Sequence, residues 1–381
     1  MESAWSSRSL YVAKGTRLFA FGMASVALPV HLAATGVAPL WIGAILALAL
    51  LSGAAQLFFS GFLTRRFGIK PIALAVAVAM GLGGLLAATD TLWIIVLAAA
   101  LGALNATAHD SGPLFPLEQA NLATGEHGVH RMAVYNAVGT ASLALGTLAG
   151  GALQFRLAFL LYGLCGGVIV LLYAFAPLRQ TLVRPRTSHV RRFGIAERLA
   201  ALFAVDAFAG GLIVQGFLAY WLVLRYHVHP QAIGVVLAAG NVLSALSLFA
   251  AARLAKRFGL LNTMVFTHLP SNILLALVPL APSFPIAAGL LLARYSLSQM
   301  DVPTRQAFVV ASVPEEERIY AAGITSAVRP LAAATSPFLA AVAMQAAAVG
   351  APFFAAAGIK ACYDIAVYIA FRRVRETSPT S

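Results

Sequence analysis

The chain has 381 residues, 60% of them apolar and only 10% charged, with a formal net charge of +13. Apolar runs of about 20 residues, the length that crosses a hydrocarbon core, recur along it, which excludes a soluble globular class and predicts an all-α polytopic membrane protein. The positive balance then reads as loop charge at a membrane surface rather than as a nucleic-acid footprint.

In chain order, the apolar segments predict spans over 12–33, 39–63, 71–89, 91–111, 131–153 and 157–176, then over 200–224, 231–252, 262–281, 285–307, 319–345 and 351–371. Short polar turns join most of them, as antiparallel neighbours in a bundle require. The expected organisation is an N-terminal six-helix bundle over 1–176, a basic linker over 177–199, a C-terminal six-helix bundle over 200–371 and a tail over 372–381.

The halves echo each other at an offset of 191 residues. The turn after span 2 carries Gly61, Arg65, Arg66, Phe67, Gly68 and Lys70, and the turn after span 8 repeats it with Lys256, Arg257, Phe258 and Gly259. Gly68 and Gly259 sit where a helix stops. Upstream, Ile42, Gly43, Leu46, Leu57 and Phe58 recur as Ile233, Gly234, Leu237, Leu248 and Phe249.

Lys and Arg bias loops toward the cytoplasm. With the N-terminus inside, 21 of the 26 basic residues fall on cytoplasmic segments and span ends, among them Arg8, Lys14, Arg17, Arg65, Arg66, Arg131, the linker from Arg179 to Arg198, Arg257, Arg305 and Arg373. Both termini are therefore expected in the cytoplasm. Reading the first apolar segment as a cleaved signal would leave eleven spans and put the basic loops on the wrong side. Cys165 and Cys362 lie inside spans and carry neither a disulfide nor a zinc-ligand spacing.

Twelve spans in two parallel halves, joined to the Gly-x-Leu-x-x-Arg-x-Gly-x-Lys turn at Gly61–Lys70 and its weaker second copy, resemble the major facilitator superfamily across the whole chain. The resemblance implies a pseudo-twofold axis along the membrane normal, with spans 1, 4, 7 and 10 lining a central cavity. Arg65 and Lys256 stand where the family's turn usually carries an acid. In span 5, Gly146-Thr147-Leu148-Ala149-Gly150-Gly151 resembles the family's antiporter element with Thr147 in place of proline, and span 11 repeats its shape around Pro337. Gly146, Gly150, Gly151 and Pro337 are thus hinge candidates, or simply sites of close helix packing. Ser298–Gln306 resembles a stretch of bacterial members without an assigned substrate, which points to a bacterial inner membrane.

Ionisable residues inside spans are costly and mark partners or wet cavities. Arg294 and Arg329 fall near the middle of spans 10 and 11, where transporters of this architecture bind substrate. Each is either a ligand for cargo or half of a fixed ion pair. Asp206 and Arg17, at comparable depth in spans 7 and 1, are candidates for a proton site, while dipole complementation is the alternative for Asp206. Asp110 and Asp301 are repeat counterparts at the inner ends of spans 4 and 10. With Arg305, Arg65, Arg66 and Arg257, and with Gly61, Gly68 and Gly259, they form a candidate cytoplasmic gate, although Asp301–Arg305 is also an ordinary intrahelical pair. Lys360 and Asp364 are spaced for a structural salt bridge within span 12. Asn105, His109, Asn136, Gln215 and Asn241 complete the polar set, as cargo contacts or as helix-to-helix hydrogen bonds.

The sequence carries no ATP-binding Gly-rich loop, no His-Glu-x-x-His and no soluble domain able to house an enzyme. No cofactor is expected. The reading is a secondary active transporter of a small organic solute, most simply a proton-coupled exporter. Uptake of an organic anion and a non-transporting receptor or scaffold of the same fold are the alternatives, and charge in the spans favours transport over a scaffold. Expected partners are the solute, protons and the lipid bilayer, with a monomeric chain and no nucleic acid.

The orientation is testable by labelling. Single cysteines at Arg66→Cys and Arg186→Cys should react with an impermeant maleimide only after cells are permeabilised. Labelling from outside intact cells would invert the topology.

Overall fold

A computed structural model describes residues 2–108, 110, 112–122, 128–175, 194–314, 317–346 and 348–372. Most of the expected linker, most of the tail and His109 lie outside the described residues. The fold is the expected one, an all-α polytopic membrane protein of twelve segments in two six-helix bundles. Ten helical segments among the described residues are long and apolar enough to cross a membrane. The fourth and tenth segments fall short because each is broken.

By contact the chain parts into two compact units, Met1–Arg184 with Val214–Asn241, and Pro185–Ile213 with Val242–Ser381. The first contains α1 (Glu2–Ala34), α2 (Pro39–Phe67), α3 (Ile69–Ala87), α4 (Leu92–Ala100), α5 (Leu114–Leu122), α6 (Gly128–Ala152), α7 (Phe155–Phe175) and α9 (Gln215–Tyr226). It also takes α10 (Pro230–Phe258) as far as Asn241. Residues 214–241, which the expected division at 200 assigns to the C-terminal bundle, are packed here.

The second unit holds α8 (Ile195–Gly211), the rest of α10, α11 (Leu260–Leu277), α12 (Phe284–Ser298), α13 (Asp301–Ala311), α14 (Arg318–Ala334), α15 (Ser336–Gln345) and α16 (Ala351–Phe371). Here α8 packs on α14 and α16, and α11 on α12, α13 and α16. Leu199, Phe203, Met264, Phe308, Tyr363 and Val367 form its core. Phe58, Phe62, Leu164, Leu171, Phe249 and Ile369 stay exposed, as a lipid-facing surface allows.

The helix breaks follow from local chemistry. The fourth segment was expected to be helical to 111 but stops at Ala100. Gly102, at φ 70°, donates to Ala99 O and Ala103 donates to Ala98 O, which is a Schellman stop. Asn105 Oδ1 then accepts from the Thr107 N–H at 2.9 Å and the Thr107 hydroxyl at 2.8 Å, a local bond that competes with helix. Ser52 and Gln56 on α2 donate to the carbonyls of Ala99 and Leu101, covering acceptors that the helix end leaves open. In the tenth segment, Pro303 cannot tolerate the carbonyl four residues back, and the chain turns at Gln299–Met300. Pro337 acts likewise on Ala333 and divides α14 from α15.

The repeated turn has a matching physical basis. Gly68 has φ 89° and ψ 162°, and Gly259 has φ 84° and ψ 164°, a region open essentially to glycine alone.

The glycines of span 5 are places of close approach. A β-carbon at Gly146 would run into the Phe19 carbonyl of α1, one at Gly150 into the Met23 carbonyl, and one at Gly151 would press on Pro230 and Gly234 of α10. Gly146→Val should therefore lower the thermal unfolding temperature of the purified protein, by the equivalent of about 1–3 kcal/mol for overpacking. Gly167→Ala, whose β-carbon meets nothing within 4 Å, should leave it unchanged. Equal behaviour of the two variants would contradict this packing.

Candidate functional site

Among the described residues two buried ionic clusters occur, one in each unit. In the first, Lys14 and Arg17 project from one face of α1 toward acids on separate segments. Asp110, on the irregular run after α4, takes an ion pair from Lys14 and hydrogen bonds from Arg17 Nε at 3.2 Å and Nη2 at 3.1 Å. Glu118 on α5 receives Arg17 in a bidentate pair, at 3.1 Å from Nη1 and 2.6 Å from Nη2. The hydroxyls of Tyr135 on α6 and Tyr173 on α7 donate to the same carboxylate. Arg17 and Glu118 are each only 2% exposed, and the two cations balance the two acids. Arg17, Asp110 and Asn105 also line one crevice, with Met80 and Tyr162.

In the second unit one carboxylate serves several cations. Asp206 on α8, 2% exposed, accepts Lys360 of α16 at 2.5 Å, Arg329 of α14 at 3.0 Å and Arg305 of α13 at 3.4 Å. Arg305 also pairs with Asp301 one turn back at 2.5 Å. Asp364, fully buried on α16, accepts His268 Nδ1 at 2.8 Å and Asn272 Nδ2 at 2.9 Å, both from α11. Lys360 thus pairs with Asp206 and not with Asp364. The reason is geometric, because Asp206 lies on the neighbouring α8 while Asp364 faces α11.

Among the described residues Arg294 makes no direct contact with either cluster, although Asp206 and Asp301 of the second act on it electrostatically. It is half-buried on α12, its Nε has no hydrogen-bond partner, and it makes no ion pair among the described residues. Its guanidinium lies 5.7 Å from the ring of its neighbour Tyr295. Arg329, by contrast, has a partner in Asp206.

The polar residues of the spans divide. Gln215 on α9 donates to Ser25 at 2.8 Å and Thr147 at 3.0 Å, and Asn241 on α10 donates to Thr147 at 3.2 Å. The Thr147 hydroxyl donates onward to Leu143 O at 2.8 Å. Thr147, which replaces the antiporter element's proline, is therefore the hub that joins α1, α6, α9 and α10. Asn136 is exposed on α6. Gly61, Arg65, Arg66 and Arg257 are exposed, Gly68 and Gly259 cap their helices, and Asp110 and Asp301 are engaged by Lys14, Arg17 and Arg305 instead. Pro337 is buried at the start of α15.

Sequence reasoning passed over Glu118, Tyr135, Tyr173, His268 and Asn272. Glu118 falls between the expected spans 91–111 and 131–153, where Leu114, Phe115 and Leu117 around it mark a short apolar helix. His268 had a usable signal, an ionisable ring inside an apolar span.

The sequence profile of the Major Facilitator Superfamily matches residues 10–293. A membrane protein of Saccharomyces cerevisiae described as uncharacterized is 21% identical over 375 residues, covering 84% of each chain. Among solved structures, the nucleoside transporter NupG is similar at a TM-score of 0.75 with 13% identity, covering 97% of this chain and 99% of its own. The human organic anion transporter MFSD10 gives 0.67 with 16% identity, covering 96% and 100%. These structural likenesses concern the fold.

Removing one partner of a buried pair strands the other, at a cost of about 3–5 kcal/mol. Arg17→Met should therefore lower the unfolding temperature sharply, whereas Arg65→Met, at an exposed position, should not. Adding Glu118→Gln to Arg17→Met should recover part of the loss. A double variant less stable than Arg17→Met alone would contradict the pairing.

Proposed function

The chain belongs to the Major Facilitator Superfamily, and from that premise we propose that it is a proton-coupled secondary transporter working by alternating access on a small organic solute that carries an anionic or hydrogen-bond-accepting group. As a member of this family it is a membrane transporter and not an enzyme. One observation supports the cargo class above the others, the guanidinium of Arg294, whose buried Nε has no hydrogen-bond partner and which forms no ion pair among the described residues. A guanidinium stays charged at any ordinary pH, so at this depth its natural partner is an acceptor supplied from outside the protein. Asp206 and Asp301 act on Arg294 electrostatically, but neither forms an ion pair with it among the described residues.

Export in exchange for protons is supported by the resemblance of the Gly146–Gly151 element to antiporters. Uptake of an organic anion is the second reading, favoured by the absence of an ion-pair partner for Arg294 among the described residues and by the likeness to the organic anion transporter MFSD10. The proposed setting is a bacterial inner membrane, with a monomeric chain and both termini in the cytoplasm.

Arg294→Lys keeps the charge but loses the planar fork. Vesicles holding equal amounts of wild-type, Arg294→Lys and Arg294→Ala protein should be tested with radiolabelled carboxylates and organic phosphates. Both variants should lose flux of the transported probe about 10-fold or more, the equivalent of about 1.4 kcal/mol, while insertion stays normal. Unchanged kinetics in both would remove Arg294 from the cargo site.

A further inference from the structure

We infer that His268 and Asp364 form a proton-binding site buried in the second unit, and that a proton taken up on His268 Nε2 loosens the hold of Asp206 on Arg329. The inference deepens the proton-coupled reading above and rests on it for its functional meaning.

His268 is 4% exposed and sits between two carboxylates. Its Nδ1 is 2.8 Å from Asp364 Oδ1, and Asn272 occupies the other oxygen of Asp364 at 2.9 Å. The network therefore places the Nδ1 hydrogen on the Asp364 side. In the neutral ring, Nε2 then carries a lone pair, and that nitrogen lies 3.9 Å from Asp206 Oδ1. A lone pair facing a carboxylate repels it. A proton from bulk water, added to Nε2 with no other bond made or broken, turns the same contact into an attractive N–H to carboxylate pair.

The charge count gives this proton a consequence. With His268 neutral, Asp206, Asp301 and Asp364 balance Lys360, Arg305 and Arg329. Protonation adds a fourth cation to an Asp206 that already serves three. Arg329 is the most exposed of these partners, at 29% of its side chain against 9% for Lys360 and 8% for Arg305. Its guanidinium is the one that can leave toward water or an anionic cargo at least cost. The other charged and titratable groups around the ring are Lys360 and Tyr363 on α16, Arg305 and Asp301 on α13, and Arg294 on α12. Among these groups the imidazole is the one with a free ring lone pair able to accept a proton. In the first unit Tyr173, the repeat counterpart of Asp364, holds Glu118 instead, and no histidine joins that cluster among the described residues.

The proton is its own probe. Spin labels at Arg66→Cys and Arg257→Cys, in full-length protein in nanodiscs with Cys165 and Cys362 replaced by Ala, report conformation by double electron–electron resonance. The distance distribution of the parent should shift on acidification. His268→Gln and Asp364→Asn should each lose that shift, while His31→Gln, which alters a separate His–Asp pair at 2.7 Å in the first unit, should keep it. Should His268→Gln fail to elute as a folded species, Asp364→Asn carries the test. A parent without a shift, or variants that both retain it, would overturn the site. A shift that obeys these variants alongside flux indifferent to a pH gradient would uphold the site and retire proton coupling.

Discussion

A charge held in hydrocarbon costs several kcal/mol unless it is paired, and this constraint organises both halves of the molecule. Each unit answers it with an internal cluster, Arg17 between Asp110 and Glu118 in the first and Asp206 among Lys360, Arg305 and Arg329 in the second. Because the partners, with Tyr135 and Tyr173 counted in the first cluster, come from four helices in each case, the clusters also fix which helices lie together. Arg294 matters because it is left over. The same energetic rule that makes the clusters structural makes an unpartnered guanidinium a candidate for cargo.

The two clusters are repeat-related yet place their charges on opposite elements. Asp110 and Asp301 stand at the 191-residue offset, as do Tyr173 and Asp364, so the scaffold has kept its positions. Their content has been exchanged. Gly15, flanked by the cations Lys14 and Arg17, is the counterpart of the acid Asp206. The first helix of one half supplies positive charge where the first helix of the other supplies negative. The first cluster is self-neutralised and rich in tyrosine. The second holds a histidine between two carboxylates and a cation with part of its side chain exposed, which makes it the half with capacity to change state.

Much of this fold was legible because bilayer thickness imposes a length on apolar runs and because glycine alone accepts the backbone at Gly68 and Gly259. The breaks were less visible. Asn105 and Gly102 lie in a run apolar enough to pass for continuous helix, and only their pairing with Thr107 and Ala99 shows why the helix stops. Among the charges, sequence located Arg294, Arg329, Asp206 and Arg17 by depth, but depth does not name partners. The i,i+4 spacing of Lys360 and Asp364 favoured each other on paper, whereas packing against α8 and α11 gave each a better partner. Glu118 escaped because a nine-residue helix inside a loop region leaves a weak periodic signal.

The central claim is that a pH gradient moves an anionic solute through this chain. It is tested most directly by vesicles of purified wild-type protein, with the membrane potential clamped and a panel of labelled carboxylates and organic phosphates presented with and without an imposed gradient. The account predicts that at least one anion moves faster with the gradient and that a proton ionophore abolishes the difference. Flux of a transported anion at the same rate under both conditions, or flux confined to cationic solutes, would contradict it.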